Sequence, residues 1–124
     1  MRKIEIEFTI PSSAGVLFNR LSTASGLAEW FADDVTVDKQ GLYHFNWEGS
    51  TEVAEQLSVK PGDSVRYRWK HLEPDTFLEF RLKTDPLTSD LALIITDFVE
   101  EDEEDEARML WDSQIDDLKR ILGI

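Results

Sequence analysis

The residues with the clearest capacity for ligand chemistry are aromatic and occupy alternating positions of three predicted strands. Side chains two apart along a β-strand share one face of the sheet. On one face they can line a pocket whose tyrosine hydroxyls and indole N–H groups orient a ligand, or they can form plain core, which is the favoured interpretation. The set comprises Tyr43, Phe45, Trp47, Tyr67, Trp69 and Phe80.

Two carboxylates lie among apolar residues of predicted strands, and they are the candidates for acid–base chemistry. Glu55 shares a predicted strand face with valine and leucine, and Asp97 lies inside the apolar segment 91–99. In an apolar cavity a carboxyl group has a raised pKa and can act as a general acid or base. We favour the alternative, in which a local bulge turns Glu55 outward and Asp97 pairs with Arg66 or Arg68.

The metal-binding and nucleophilic residue types are scarce. The chain has no cysteine, and His44 and His71 are its only histidines, with no paired spacing that would hold a transition metal. Both are interpreted as surface residues, and the sequence predicts no metal site and no cofactor. It also lacks a glycine-rich phosphate loop, a Gly-x-Ser-x-Gly elbow and a Ser/His/Asp order, so nothing in it argues for catalysis.

The net charge is −13, and seven acids follow one another from Glu100 to Glu106. A polyanion is repelled at long range, which argues against nucleic acid and anionic lipid as partners. The acidic run lacks the spaced aspartates and central glycine of a calcium loop. A solvated helix start is the favoured interpretation, and a docking patch for a basic partner is the alternative. A basic stripe on one strand face is interpreted as pairing with nearby acids; it comprises Arg66, Arg68, Lys70, Arg81 and Lys83.

Alternation of apolar and polar residues predicts about seven β-strands with a turn roughly every ten residues. Such short connections require antiparallel neighbours. Two short helices are predicted between the first two strands, Ala14–Leu21 and Leu27–Phe31, with Trp30 packing against the remainder of the domain. The strands cover residues 3–10, 35–37, 43–47, 51–59, 65–69, 78–82 and 91–99.

A long amphipathic helix is predicted from Glu104 to the C-terminal glycine, Gly123. Burying its apolar stripe stabilises the fold by on the order of 10 kcal/mol before entropy, and a lone helix of this length is marginal in water. The sheet should therefore curl around it. We expect one domain over residues 1–124, with an α+β fold. The stripe comprises Leu110, Trp111, Ile115, Leu118, Ile121 and Leu122.

The order of these elements, with several short motifs, resembles the helix-grip fold of the START-like (SRPBCC) superfamily. The motifs are Phe8–Ser13 before the first helix, Leu27–Phe31, the glycine-led aromatic strand Gly41–Trp47, and Thr96–Phe98 before the last helix. The small members that it most resembles are those of the heat-shock-ATPase-activator and polyketide-cyclase types. The resemblance implies a cavity between the curved sheet and the closing helix that holds an apolar ligand. The expected ligand-binding residues are Trp30, Tyr43, Phe45, Trp47, Tyr67, Trp69, Phe80, Trp111, Ile115 and Leu118.

Three functions follow from that resemblance. The first is a non-catalytic protein that binds a hydrophobic small molecule or lipid. The second is a protein-interaction module of the chaperone-activator type, and the third is a cyclase-like enzyme that uses a cavity carboxylate. A cavity open to solvent between the short helices and the closing helix would favour the first, whereas an exposed apolar patch without a cavity would favour the second.

The lack of a membrane-spanning segment and the lack of cysteines or a signal peptide lead to an expected cellular location. No run approaches the roughly 18 apolar residues of a membrane span, so stable membrane insertion is not expected. Without cysteines or the apolar core of a signal peptide near Met1, the default location is the cytoplasm.

Overall fold

A computed structural model describes residues 1–124 as a seven-stranded sheet, two short helices and one long helix. Alternating segments form strands and the segment with helical periodicity forms the long helix, as local propensity requires. The elements are β1 (Arg2–Thr9), α1 (Ala14–Ser22), α2 (Ala24–Leu27), β2 (Asp34–Val37), β3 (Leu42–Trp47), β4 (Ser50–Lys60), β5 (Ser64–Trp69), β6 (Leu78–Thr84), β7 (Leu91–Val99), a 3₁₀ turn (Glu101–Glu103) and α3 (Glu104–Ile121).

The sheet has the strand order β1-β7-β6-β5-β4-β3-β2, and every neighbouring pair is antiparallel. Strands β2 to β7 follow one another by short connections, while α1 and α2 carry the chain from one edge strand to the other. The sheet and α3 enclose the core. This architecture confirms the predicted α+β helix-grip class.

N-terminal capping residues set the first residue of each of the two short helices. The Ser13 side chain accepts a hydrogen bond from the backbone N–H of Val16 (3.2 Å), and the Thr23 side chain accepts one from that of Gly26 (3.0 Å). Thr23 therefore starts α2 at Ala24, three residues before the predicted start. The prediction of a helix over Leu27–Phe31 was wrong, because most of that segment forms turns.

Gly26 allows α2 to pack directly on the last turn of α1. A Cβ atom at this position would collide with the backbone oxygen of Asn19 and would lie 2.8 Å from the Cα atom of Arg20. No other residue fits without moving one helix away from the other.

The apolar stripe of α3 is narrower than predicted. Trp111, Ile115 and Leu118 are buried against the sheet, whereas Leu110 is 60% exposed and Ile121 is 37% exposed. Successive helical residues are about 100° apart around the axis. Leu110 is therefore turned away from the direction in which Trp111 points, and its predicted place in the core was wrong.

The outer face of the sheet carries ion pairs between neighbouring strands. Arg66 Nη2 lies 2.9 Å from Glu79 Oε2, and Arg68 Nη2 lies 2.8 Å from Glu55 Oε1. A bulge was expected to turn Glu55 outward. Glu55 lies on the outer face beside Arg68, but the register of β4 shifts only after it, between Gln56 and Ser58. Because both arginines have other partners, the predicted pairing of either one with Asp97 was wrong.

Candidate functional site

An open groove of about 610 Å³ lies between the sheet and the N-terminal half of α3. The strands β3, β5 and β7 run in the same direction, so their C-terminal ends meet at one side of the sheet, where the first turns of α3 cross. The groove's apolar lining comprises Phe31, Trp47, Trp69, Leu72, Leu78, Phe98, Val99, Ala107, Leu110 and Trp111. Its polar lining comprises Ser50, Glu52, His71, Asp97, Glu103, Glu106 and Gln114.

Three tryptophans surround Phe31 in the wall of this groove. The Phe31 ring centroid is 5.5 Å from that of Trp47, 5.8 Å from that of Trp111 and 6.5 Å from that of Trp69. Phe31 and Trp111 are buried, while Trp47 and Trp69 are half-buried. The groove therefore has an aromatic floor, with two indole rings partly open to solvent.

Two of these indoles are fixed by hydrogen bonds through their N–H groups. Trp47 Nε1 donates to the carbonyl oxygen of Phe31 (2.9 Å), and Trp111 Nε1 donates to Asp97 Oδ2 (3.0 Å). The N–H of Trp69 makes no hydrogen bond within the chain. Trp69 is consequently the aromatic residue of the groove with a donor still available.

Asp97 lies on the inner face of β7 and is half-buried. Its Oδ1 accepts the backbone N–H of Phe98 (2.9 Å), while its Oδ2 accepts the indole N–H of Trp111. Burial raises the pKa of Asp97 above its ordinary value of 3.8, although both hydrogen bonds act in the opposite direction. Its carboxyl group has polar partners but no arginine or lysine partner, and it forms part of the groove wall.

Three further acids line the groove, of which Glu103 and Glu106 are exposed at the start of α3 and Glu52 is half-buried on β4. No lysine or arginine is among the lining residues. The only lining side chain able to become cationic is that of His71, whose Nε2 lies 3.9 Å from Glu52 Oε1. The groove thus combines an apolar floor with an acidic rim.

The two tyrosines expected in the site hold α1 instead of facing the groove. The Tyr67 hydroxyl donates to the carbonyl oxygen of Leu21 (2.7 Å), and the Tyr43 hydroxyl donates to that of Ser22 (3.4 Å). The Gln56 amide also donates to the Ser22 oxygen (3.0 Å) and to the Tyr67 hydroxyl (3.2 Å). These bonds satisfy carbonyls that the end of a helix leaves unpaired. Burial raises the pKa of both tyrosines.

Trp30 serves the same helix end, because its Nε1 donates to the carbonyl oxygen of Arg20 (2.8 Å). It also lines a second pocket of about 470 Å³ between residues 28–33 and the C-terminal half of α3. Phe31, Trp47 and Gln114 line both pockets. The Phe31 carbonyl oxygen accepts hydrogen bonds from Trp47 Nε1 and from the Gln114 amide (3.4 Å), so the three shared residues are bonded to one another.

The structure therefore divides the ten residues expected to bind ligand. Trp47, Trp69 and Trp111 line the groove, and Trp30 lines the second pocket. The others pack in the interior or against it, without lining either pocket: Tyr43, Phe45, Tyr67, Phe80, Ile115 and Leu118.

Sequence reasoning did not assign Phe31, Leu72, Leu110 and Gln114 to the site. In the sequence, Phe31 is only a large apolar residue at the end of the predicted helix Leu27–Phe31. The signal for the groove was that Trp47 and Trp69 end their alternating runs, and strands two apart in an antiparallel order finish at the same side of the sheet.

Other chemical centres are few. No group of three or more His, Asp or Glu side chains is arranged to hold a metal ion. His44 Nε2 lies 2.8 Å from Asp38 Oδ2, and this hydrogen bond is the main cause that holds the pKa of Asp38 below its usual range. No helix of the structure is both long enough and apolar enough to cross a membrane.

Comparison with protein families gives a match over the whole length. The model of the START-like superfamily domain matches residues 1–124. Among curated proteins, none matches the chain at a significant level.

Solved structures similar to this chain share its complete fold. A Bacteroides fragilis protein solved by NMR is 34% identical over 99% of this chain and 92% of its own, with a TM-score of 0.67. The Aha1 dimer from Colwellia psychrerythraea is 21% identical over 100% of this chain and 98% of its own, with a TM-score of 0.81. A longer protein of the dynemicin biosynthetic locus, DynU16, is 16% identical over 98% of this chain and 47% of its own, with a TM-score of 0.80.

Proposed function

Because this chain belongs to the START-like superfamily, we propose that it binds a hydrophobic small molecule or lipid, without transforming it, between its sheet and α3. The observation that carries the proposal is the groove of about 610 Å³ with its floor of Phe31, Trp47, Trp69 and Trp111. Ligand pockets of roughly 300–1,000 Å³ with mainly apolar walls and a few polar groups are typical of small-molecule sites. The absence of cysteine fits a reducing compartment, and the proposal places the domain in the cytoplasm.

Packing supports the groove, and not the deep interior, as the binding site. Phe45, Tyr67, Phe80, Ile115 and Leu118 are each at most 1% exposed and fill the space between sheet and helix. A ligand there would have to displace close-packed side chains, which costs free energy. A ligand in the groove would cover the half-buried faces of Trp47 and Trp69 without that cost.

The test uses an apolar ligand panel with tryptophan fluorescence and native mass spectrometry as readouts. Ala107 is half-buried in the groove wall on α3, so Ala107→Trp should fill the groove and abolish saturable binding. Met109→Trp is the matched control, because Met109 is on the same helix, is 71% exposed and does not line the groove. Equal binding by both variants and the parent protein would refute the site.

A second candidate is a protein-interaction module of the chaperone-activator type. The observation that favours it is the exposure of Met109 and Leu110 (71% and 60%) beside each other on α3. The fold is also that of the Colwellia Aha1 protein, which is a dimer. If Met109→Glu abolishes self-association or partner binding while ligand binding persists, the helix surface has this second role.

A third candidate is acid–base catalysis by Asp97. It is favoured because this carboxyl group lines the groove, is half-buried and has no basic partner. The simple binding function is preferred, since both carboxylate oxygens already accept N–H donors from Phe98 and Trp111. Conversion of any bound ligand that stops in Asp97→Asn, with binding retained, would support catalysis instead.

A further inference from the structure

Charge is distributed unevenly around the groove. Four carboxylates line it, from Glu52, Asp97, Glu103 and Glu106, and no lysine or arginine does. The two arginines beside the start of α3 are engaged elsewhere. Arg2 Nε lies 3.3 Å and Arg108 Nε lies 3.0 Å from carboxylate oxygens of Glu104, which is not part of the lining. The groove's acids are therefore not neutralised by these bases.

The helix dipole does not reverse this balance. The N-terminus of α3 contributes about half a positive charge near Glu103 and Glu106. Even without Asp97, the carboxylates of Glu52, Glu103 and Glu106 outweigh that contribution, so the groove repels an anionic head group and attracts a cationic one. The effect extends over about 10 Å at moderate ionic strength, which covers the groove.

The aromatic floor of the groove also favours a cationic ligand. The faces of indole rings attract cations, and tryptophan is the strongest of the aromatic residues in this respect. Trp47 and Trp69 are half-buried with their centroids 6.2 Å apart, so both rings border the same part of the groove. An ammonium group held beside them would have acidic side chains around it and an apolar floor for its hydrocarbon body.

We propose that the ligand of this groove is an organic cation, with an ammonium group carried on an apolar body. The proposal rests on the proposed function, because it assigns the charge of the ligand that the same groove binds. It excludes fatty acids as the preferred ligand class, and it makes a neutral lipid the weaker of the two remaining classes.

The experiment compares three ligands with the same hydrocarbon chain: octylammonium, octanol and octanoate. Calorimetric titration and quenching of tryptophan fluorescence give the affinity of each. We expect octylammonium to bind at least about tenfold more tightly than octanol, and octanoate to bind most weakly. The advantage of the cation should fall as salt is added.

Two outcomes separate this proposal from the function on which it rests. If octanol or octanoate binds as tightly as octylammonium, the cation proposal is overturned and the apolar groove function stands. If none of the three binds saturably at this groove, the proposed function itself fails.

Paired charge variants localise the effect. Glu103→Gln with Glu106→Gln should lower octylammonium affinity by about threefold or more and leave octanol affinity unchanged. The matched control is Asp102→Asn with Asp105→Asn, which removes two charges from the same stretch but from residues outside the lining. Equal losses in both double variants would indicate attraction by the net charge of the protein, and would overturn the groove assignment.

An aromatic variant separates cation recognition from simple apolar contact. Trp69→Leu keeps an apolar side chain, removes the indole face and breaks no hydrogen bond within the chain. We expect it to reduce octylammonium affinity several-fold, and by a larger factor than it reduces octanol affinity. Parallel losses for both ligands would contradict a cation-binding role for this ring.

Discussion

Removing one buried hydroxyl should weaken the attachment of α1 to the sheet. Tyr67 is 1% exposed and its hydroxyl donates to the carbonyl oxygen of Leu21 at 2.7 Å. The change Tyr67→Phe leaves that carbonyl without the side-chain donor that satisfies it at the end of the helix. The Gln56 amide loses one of its two acceptors and keeps the carbonyl oxygen of Ser22.

The expected cost follows from the group that is left unsatisfied. A buried acceptor that loses its partner costs about 1–3 kcal/mol, which is more than the net contribution of an average hydrogen bond. Tyr43→Phe is the control, because its bond to the Ser22 oxygen is longer (3.4 Å) and that oxygen keeps the Gln56 amide. The control should cost less than about 1 kcal/mol.

Urea unfolding followed by circular dichroism measures both changes. The midpoint should fall for Tyr67→Phe with an unchanged dependence on denaturant, since the surface exposed on unfolding is the same. The melting temperature should fall by about 4 °C for each kcal/mol lost. If Tyr67→Phe costs no more than Tyr43→Phe, the claim that the Tyr67 hydroxyl holds the helix end is refuted.

Three further comparisons test the helix packing, the half-buried acid Asp97 and the groove wall. Gly26→Ala should lower the free energy of unfolding by about 1–3 kcal/mol, because the added Cβ collides with α1. Gly15→Ala has open space around the added Cβ and should raise the free energy of unfolding by about 0.4–1 kcal/mol. Urea unfolding measures both changes. The raised pKa of Asp97 means that the folded state binds its proton more readily than the unfolded state does. The free energy of unfolding of the parent, measured relative to that of Asp97→Asn, should therefore fall as pH rises from 3.8 through the folded pKa. Trp111→Ala should cost about 3–5 kcal/mol, whereas the adjacent and 60% exposed Leu110 should tolerate alanine with a loss below about 1 kcal/mol.

A different outcome would contradict each of these three predictions. Equal effects of alanine at Gly26 and Gly15 would remove the argument from close helix packing. A difference between parent and Asp97→Asn that grows with pH would mean that the carboxylate is stabilised by its surroundings, opposite to the stated pKa shift. A small loss for Trp111→Ala, with tighter binding of a larger ligand, would make Trp111 a replaceable pocket wall.

The local pattern alone was enough for the architecture. Alternation in segments such as Tyr43–Trp47 requires strands, and the recurrence of Trp111, Ile115 and Leu118 at three- and four-residue steps requires a helix with one buried stripe. Both features depend on residues close in sequence. The START-like assignment followed from their order, and it was correct.

The location of the groove needed the register of the sheet. In the sequence, Trp47 and Trp69 differ from Tyr43 and Tyr67 only in ending their alternating runs, because all four share the alternating positions of their strands. Only the pairing of strands shows that the tryptophans lie at the open end beside α3. The tyrosines lie farther inside, where their hydroxyls bond to the end of α1.

Partners of polar groups were decided by tertiary structure as well. The sequence offered Arg66 and Arg68 as partners for Asp97, but cross-strand neighbours Glu79 and Glu55 take them on the outer face. Asp97 points to the other face, where Trp111, 14 positions later, supplies its N–H. The sequence by itself determined the seven strands, the first short helix, the long helix and their order, because these depend on periodicity. The side of the sheet, the end of the groove and the partner of each acid depend on contacts between distant residues, so only the folded structure decided them.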